Sequence, residues 1–218
     1  MAFTLRDVLD SVASFVNQDP TLATSTDLTS QVNLINQSQD EWGEADQWDE
    51  LRVPLAPSFT VSGASMALPT NFKKLMSPVF DVSSGTPVEY PEIDPRDRFT
   101  KLSTDKYIYK QGNKASGMSL QINPVLASGA SLNVYIQIYP SSMATLTDTA
   151  TCPSKQFLVQ RTVSKILGAR SDPRFTIYKG ESDDLLSNMI EEGAAFSGGQ
   201  KNQTRDVWSG SNFRLGQD

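Results

Sequence analysis

The sequence predicts an α+β fold: a helical bundle of about four helices, an inserted antiparallel β domain and an extended C-terminal arm. Three observations carry this. Apolar residues recur at helical spacing toward both ends of the chain, first over Leu5 to Trp42 and again over Val159 to Ile190. Between these stretches, residues 55 to 149 alternate apolar and polar residues and are punctuated by glycine and proline. From Ser197 onward the periodicity disappears, and Gly, Ser, Asn and Gln dominate. The resulting division is 1–54 and 150–196 for the bundle, 55–149 for the β insertion and 197–218 for the arm.

Each element has its own signal. Thr4 followed by Asp7 reads as a helix start of capping-box type, with Asp in place of the usual Glu or Gln. Phe3 and Val8 occupy the positions of a hydrophobic staple across that cap. Leu5, Val8, Leu9, Val12 and Val16 then repeat with helical period until "QDP" closes the run at Pro20. A second helix is expected from Thr26 or Asp27 up to Pro54, a span of roughly 38 Å at ~1.5 Å per residue. Val32, Ile35 and Trp42 mark its apolar stripe. Trp48 falls about 120° further round than Trp42, at ~100° per residue. That spacing predicts one ring in the chain's own core and the other turned toward a neighbour.

In the insertion, "FTVSGASMALP" alternates, turns at glycine and ends at proline, and "KYIYKQGNKASGMSLQINP" reads as two strands around a Gly-Asn-rich loop. "ASGASLNVYIQIYP" is the clearest strand. Leu132, Val134, Ile136 and Ile138 share one face, and Asn133, Tyr135, Gln137 and Tyr139 share the other. Prolines at 57, 69, 78, 87, 91 and 95 suit edge strands and turns. Beyond the insertion, Pro153 fits the first turn of a third helix. Val159, Val163, Ile166 and Leu167 form its buried face to about Arg170. "SDPRF" breaks the chain, and a fourth helix carries Leu185, Leu186, Met189 and Ile190 before "SGG" ends it.

Composition narrows the chemistry. The 218 residues fit one domain, or one domain with a sizeable insertion, and include no histidine and a single cysteine, Cys152. Ser-His-Asp and Cys-His catalysis, a Cys/His zinc site and an internal disulfide are therefore unavailable to one chain. An intracellular place of folding follows from the cysteine usage. No window reaches the ~18 apolar residues of a membrane span, and "MAFTLRDVLD" lacks the pattern of a secretory signal. A formal net charge of −6 opposes tight binding to a phosphate backbone.

Several stretches invite a chemical reading. "DEWGEADQWDEL", residues 40 to 51, sets two tryptophans among six carboxylates, which suits a hydrolase site, a cation site or a protein-facing helix. It has no EF-hand spacing, and a densely charged helix is ordinarily a solvated face. "YPEIDPRDRF", residues 90 to 99, places Glu92, Asp94 and Asp97 beside Arg96 and Arg98, and reads as a proline-stiffened connector with locally paired charges. Lys155 near Ser154 matches no S-x-x-K motif, and Cys152 has no histidine to activate it. In the tail, Arg205, Val207, Trp208, Phe213, Arg214 and Leu215 are apolar and cationic points in an otherwise polar segment. Cations with aromatics between them suit single-strand nucleic-acid binding, and a tail that folds onto a protein surface with Trp208 and Phe213 as anchors explains the same residues at least as well, since the segment has too little apolar surface to fold alone.

The succession "EWGEADQWDEL", "TVSGASMALPTNFKKL", "YPEIDP", "LQINPVLASGASLNVYIQIYPSSMATLTDTATCPSKQFLVQR" and "DLLSNMIEEGAAFSGG" resembles the head-to-tail adaptor proteins of tailed bacteriophages, also described as tail tubular proteins. The resemblance runs from about Leu5 to Gly199. It is carried by the order of elements and by "ALPTNFKKL" and "INPVLASG…Y". It implies a structural protein of the virion neck, made and assembled in the host cytoplasm, that forms a ring, typically a dodecamer, under the portal protein. The ring continues the DNA channel without binding DNA specifically and offers a platform to the next tail component, a nozzle or tail-tube protein, with tail fibres as further partners. The arm reaches up the portal through Arg205, Val207, Trp208, Phe213, Arg214 and Leu215. Trp42, Trp48, Glu44, Arg96 and Arg98 are the subunit-interface candidates. No catalytic residue, cofactor, metal or membrane contact is expected. Two other classes compete: a fibre or spike β-sandwich with Tyr107, Tyr109, Tyr135 and Tyr139 as a carbohydrate platform, and a cell-wall hydrolase using Glu44 and Asp46.

Overall fold

A computed structural model of the chain describes residues 2–16, 25–55, 59–60, 65–76, 78–83, 85–113, 116–126 and 131–196. Its four helices and three small antiparallel sheets make an α+β fold. The chain divides into a helical unit, residues 1–49 and 140–218, and a β unit, Glu50–Tyr139. The β unit thus begins and ends earlier than the 55–149 expected from alternation alone. Residues 52–54 already form a strand, and the residues after Pro140 hydrogen-bond to helices of the helical unit. The arm at 197–218 lies outside the described residues.

In the helical unit, α1 (Leu5–Val16) starts at the expected cap. Asp7 Oδ2 accepts from the Thr4 backbone N–H and from its hydroxyl, each at 2.8 Å. The Thr4 backbone and side-chain hydrogen bonds favour the ionised form and hold the Asp7 carboxyl below its usual range. Leu5, Val8, Leu9, Val12 and Val16 are all buried, as the period predicts. The start of the helix is also tied to the segment before α3, since Leu5 N–H donates to the Asp148 carbonyl at 2.8 Å and Ala150 N–H to that of Phe3 at 3.1 Å.

The second helix, α2 (Ser25–Ala45), stops well short of Pro54 and is followed by a 3-10 turn over Asp49–Leu51. The cause is Trp48. Its indole N–H donates to the Trp42 carbonyl at 2.6 Å, satisfying one of the carbonyls that a helix end leaves without a partner. The chain has to leave the helical path for that bond to form.

The next helix, α3 (Lys155–Ala169), is capped by Ser154, whose hydroxyl accepts from Phe157 N–H at 3.2 Å. Pro153 therefore precedes the cap and does not occupy the first turn. α3 packs against α1, α2 and the following helix. That central position accounts for the complete burial of Phe157, Leu158 and Val163. It ends at Ser171 with φ 56°. Ser171 N–H reaches the Gly168 carbonyl and Asp172 N–H the Leu167 carbonyl, both at 3.0 Å, a Schellman pattern with serine where glycine is usual. The last helix, α4 (Phe175–Phe196), follows directly.

Among the described residues the β unit has ten strands: β1 Arg52–Pro54, β2 Phe59–Thr60, β3 Ser65–Ala67, β4 Phe72–Leu75, β5 Val79–Asp81, β6 Val88–Tyr90, β7 Tyr107–Asn113, β8 Gly117–Asn123, β9 Ser131–Asn133 and β10 Tyr135–Ile138. They form sheets of order β1-β10-β4, β2-β9-β5-β6 and β3-β8-β7, with antiparallel pairing throughout. β7 and β8 make the expected hairpin. Gly112, at φ +98°, faces the Gly117 carbonyl too closely for any side chain.

The stretch read as one strand over 131–139 is two strands in different sheets, divided at Val134. Leu132, Val134 and Ile136 nevertheless all enter one core with Met66, Phe72, Ile108 and Leu120. Alternation reports the shared core and is silent about which sheet receives each half.

Candidate functional site

The acidic tryptophan stretch does not form a continuous helix with one ring in the core and the other turned toward a neighbour. Trp42 and Trp48 are 0% and 4% exposed and stack on each other, with ring centroids 5.0 Å apart and planes 23° apart. Neither can meet a neighbouring subunit, which corrects their reading as interface residues. The helix ends at Ala45, so Trp48 does not lie at the helical angle its spacing from Trp42 predicts. Glu44 is exposed at the end of α2.

Within this stretch Glu41, not singled out from the sequence, forms ion pairs with two cations. Arg161 Nε donates to Glu41 Oε2 at 2.6 Å, and Lys165 Nζ lies 2.9 Å from Oε1. Arg161 also reaches Asp183 Oδ1 at 2.6 Å and Ser182 Oγ at 3.3 Å. Burial pushes the Glu41 carboxyl up, but the hydrogen bonds from Arg161 and Lys165 outweigh it and the net displacement is downward. Burial lowers Lys165, while for Arg161 the Glu41 contact overcomes burial and raises it. The group is an ionic junction joining α2, α3 and α4. The signal available in the sequence was only the i, i+4 spacing of Arg161 and Lys165.

General acid catalysis needs a carboxyl held neutral, with its pKa raised. The displaced carboxyls Asp7, Glu41, Asp148 and Asp172 all move the other way. Among the described residues no group of three or more His, Cys, Asp or Glu gathers to hold a metal ion, and no helix is long and apolar enough to cross a membrane. Ser154 is occupied as a helix cap, and Cys152 is buried.

The tyrosines do not make one platform. Tyr107 is buried and lies 6.3 Å from Tyr109 on β7, whereas Tyr135 is exposed on β10, in another sheet.

The "YPEIDPRDRF" stretch does become a surface feature. Glu92 bridges to Ile108 beside β7 and pairs with Lys110 at 2.9 Å, while Arg96 lies 3.4 Å from Asp94. Arg98 stacks over the Phe99 and Tyr109 rings, at 4.6 and 5.4 Å from their centroids, and donates to the Tyr109 hydroxyl at 3.3 Å. Beyond it, Phe99 and Leu102 are 78% and 69% exposed, and neither was anticipated from the sequence.

Clefts open on the β unit among the described residues. One, of about 450 Å³, has apolar walls that include Val53, Leu55, Leu68, Ile136 and Ile138. Another, of about 330 Å³, has Leu75, Val79, Tyr90 and Ile108 in its lining, together with the carboxylates Glu89 and Glu92.

The arm residues Arg205, Val207, Trp208, Phe213, Arg214 and Leu215 lie outside the described residues. No protein-family model matches the chain, and no curated protein matches it.

Proposed function

We propose that this chain is a structural, ring-forming head-to-tail adaptor of a tailed bacteriophage. In this reading it docks under the portal protein, continues the DNA channel and presents a platform to the next tail component at the virion neck. The observation that carries the reading is the architecture: a helical unit interrupted by an antiparallel β unit, the arrangement implied by the resemblance. A charge division accompanies it. The β unit has nine basic and seven acidic residues, net +2, and the rest of the chain has ten basic and eighteen acidic, net −8. An acidic lining suits a wall along which DNA must slide without adhering.

In this reading the free chain is a monomer or a weak oligomer, and the ring closes on the portal. The arm supplies the anchor, with Trp208 and Phe213 in apolar pockets and Arg205 or Arg214 against acidic groups. The test is native mass measurement of the protein mixed with candidate portal rings. A closed ring of adaptor on the portal, lost on deleting residues 200 to 218, is the expected result. Failure of the full-length chain to bind any portal, or a stable closed ring at micromolar concentration without one, would count against the reading.

A further inference from the structure

The last helix is joined to the rest of the helical unit by a polar layer and a strained turn. α4 packs chiefly on α3. Across that contact Arg161 Nη1 donates to Asp183 Oδ1 at 2.6 Å and to Ser182 Oγ at 3.3 Å, and Gln160 Nε2 donates to Glu181 Oε2 at 2.8 Å. Ser182 is closed to solvent, whereas Leu185, Leu186, Met189 and Ile190 further along are only half-buried. The contact with α1 is also peripheral: Tyr178 meets the exposed Phe15 edge-on, with ring centroids 5.8 Å apart. By contrast, α3 packs against α1 and α2 as well, and its Phe157, Leu158, Val163 and Leu167 are closed to solvent. Opening along the α3–α4 contact therefore breaks few apolar contacts, the property of a segment that separates on its own.

The turn favours that opening. Ser171 has φ 56°, a left-handed conformation natural to glycine and unfavourable for serine, and the reversal of the chain imposes it. Pro173 disfavours the helical conformation at Asp172, so the opened chain does not fuse α3 and α4 into one helix. A separated α4 carries Glu181, Ser182 and Asp183 spaced to meet Gln160 and Arg161. The surface that matches them on another molecule is α3 of a chain whose own α4 has also left.

We propose that α4 is exchanged between copies of this chain, the α4 of one seated on the α3 of the next. The exchanged contact uses the same groups as the closed one, so the balance lies between relief at Ser171 and the entropy of association. The exchange is therefore favoured by concentration. Each chain gives one α4 and receives one, which closes a pair when reciprocal and a ring when passed round.

This inference rests on the adaptor reading only in supplying a contact between ring neighbours, and the two can fail separately. Gln160→Cys and Glu181→Cys chains, whose altered side chains face each other across the α3–α4 contact, are unfolded together in urea. They are refolded at high and at low protein concentration and treated with a short bismaleimide. The wild type, whose single cysteine is buried, is the blank. The double variant, crosslinked within one chain at low concentration, shows the reach of the linker. At high concentration, crosslinking between the two variants is expected to exceed that of either with itself at least ten-fold, and to vanish when the chains refold dilute. Adding Ser171→Gly to both chains removes the strain of the turn and should lower the exchanged fraction on the order of ten-fold per turn. Crosslinking no greater than that of the single variants, or indifferent to Ser171→Gly, would overturn the exchange. Exchange without portal binding supports the inference and removes the adaptor role. Portal binding without exchange does the reverse.

Discussion

Trp48 shows how one side chain can end a helix. It stacks on Trp42 and closes the Trp42 carbonyl with its indole N–H. Trp48→Phe keeps a ring in the stack but loses the bond, and is expected to cost about 1 kcal/mol. Trp48→Ala removes both and is expected to cost about 3–5 kcal/mol in urea unfolding. At the same scale, Asp148 and Asp172 titrate at about 2, well below the 3.8 of an ordinary aspartate. Hydrogen bonds from the Thr145 hydroxyl and backbone, and from the Ala144 N–H, favour the charged form of the first, and Arg174 favours that of the second. The unfolded chain takes up these protons at higher pH than the folded one. Their contribution is therefore complete above about pH 4 and is lost as the pH falls toward about 2. Asp148→Asn should flatten the stability profile over that interval, as measured by denaturant unfolding at successive pH values. An unchanged slope would show that the Thr145 loop is not coupled to folding.

Among the elements, α2 was the least legible. Its stretch "NLINQSQD" is mostly polar, yet three of those polar residues are internal partners. Asn36 Nδ2 donates to the Met143 carbonyl and its Oδ1 accepts from Met143 N–H, both at 2.9 Å. Gln39 Nε2 donates to the Ser141 carbonyl and its Oε1 accepts from Thr151 N–H, again at 2.9 Å. Ser38 lies 3.3 Å from Thr162 on α3, hydroxyl to hydroxyl. The two amides give the irregular segment after Pro140 the backbone partners that a sheet would otherwise provide. Replacing Asn36 or Gln39 with Ala leaves part-buried backbone groups unsatisfied and should cost about 1–3 kcal/mol each. Faster hydrogen exchange at Met143 or Thr151, respectively, is the specific sign to look for, and retained protection there would refute the clamp. By contrast, the capping box of α1, the period of α3 and the β7–β8 hairpin were all readable, because each depends on neighbours within a few residues. The end of α2, the amide clamp and the sheet change at Val134 depend on partners far along the chain, and no local pattern encodes them.

The whole molecule is net acidic, and several of its cations among the described residues are engaged locally: Arg161 and Lys165 at Glu41, Lys110 at Glu92, Arg174 at Asp172. Few counterions would be released on meeting a duplex. Fluorescence anisotropy is therefore expected to show no duplex binding at physiological salt with tens of micromolar protein, on the order of the non-specific affinities that basic proteins achieve. A steep loss of binding with added salt would show an uncompensated basic track.

The pairing of β1 with β10 has a further consequence, for the order in which the chain can fold. α2 and α3 must find each other across an insertion of 90 residues, Glu50–Tyr139. Closing a flexible loop of that length costs about 4 kcal/mol of chain entropy. But the strand that enters the insertion is hydrogen-bonded to the strand that leaves it, with Arg52 opposite Gln137. Once the β unit has folded, its two ends are already together, and the helices close over a short connection. Kinetically the insertion then behaves as a tight turn. Replacing residues 50–139 with a few Gly and Ser residues should leave the four helices folded with their far-ultraviolet helical signal intact, whereas breaking the β1–β10 pairing in the full chain should slow the assembly of the helices.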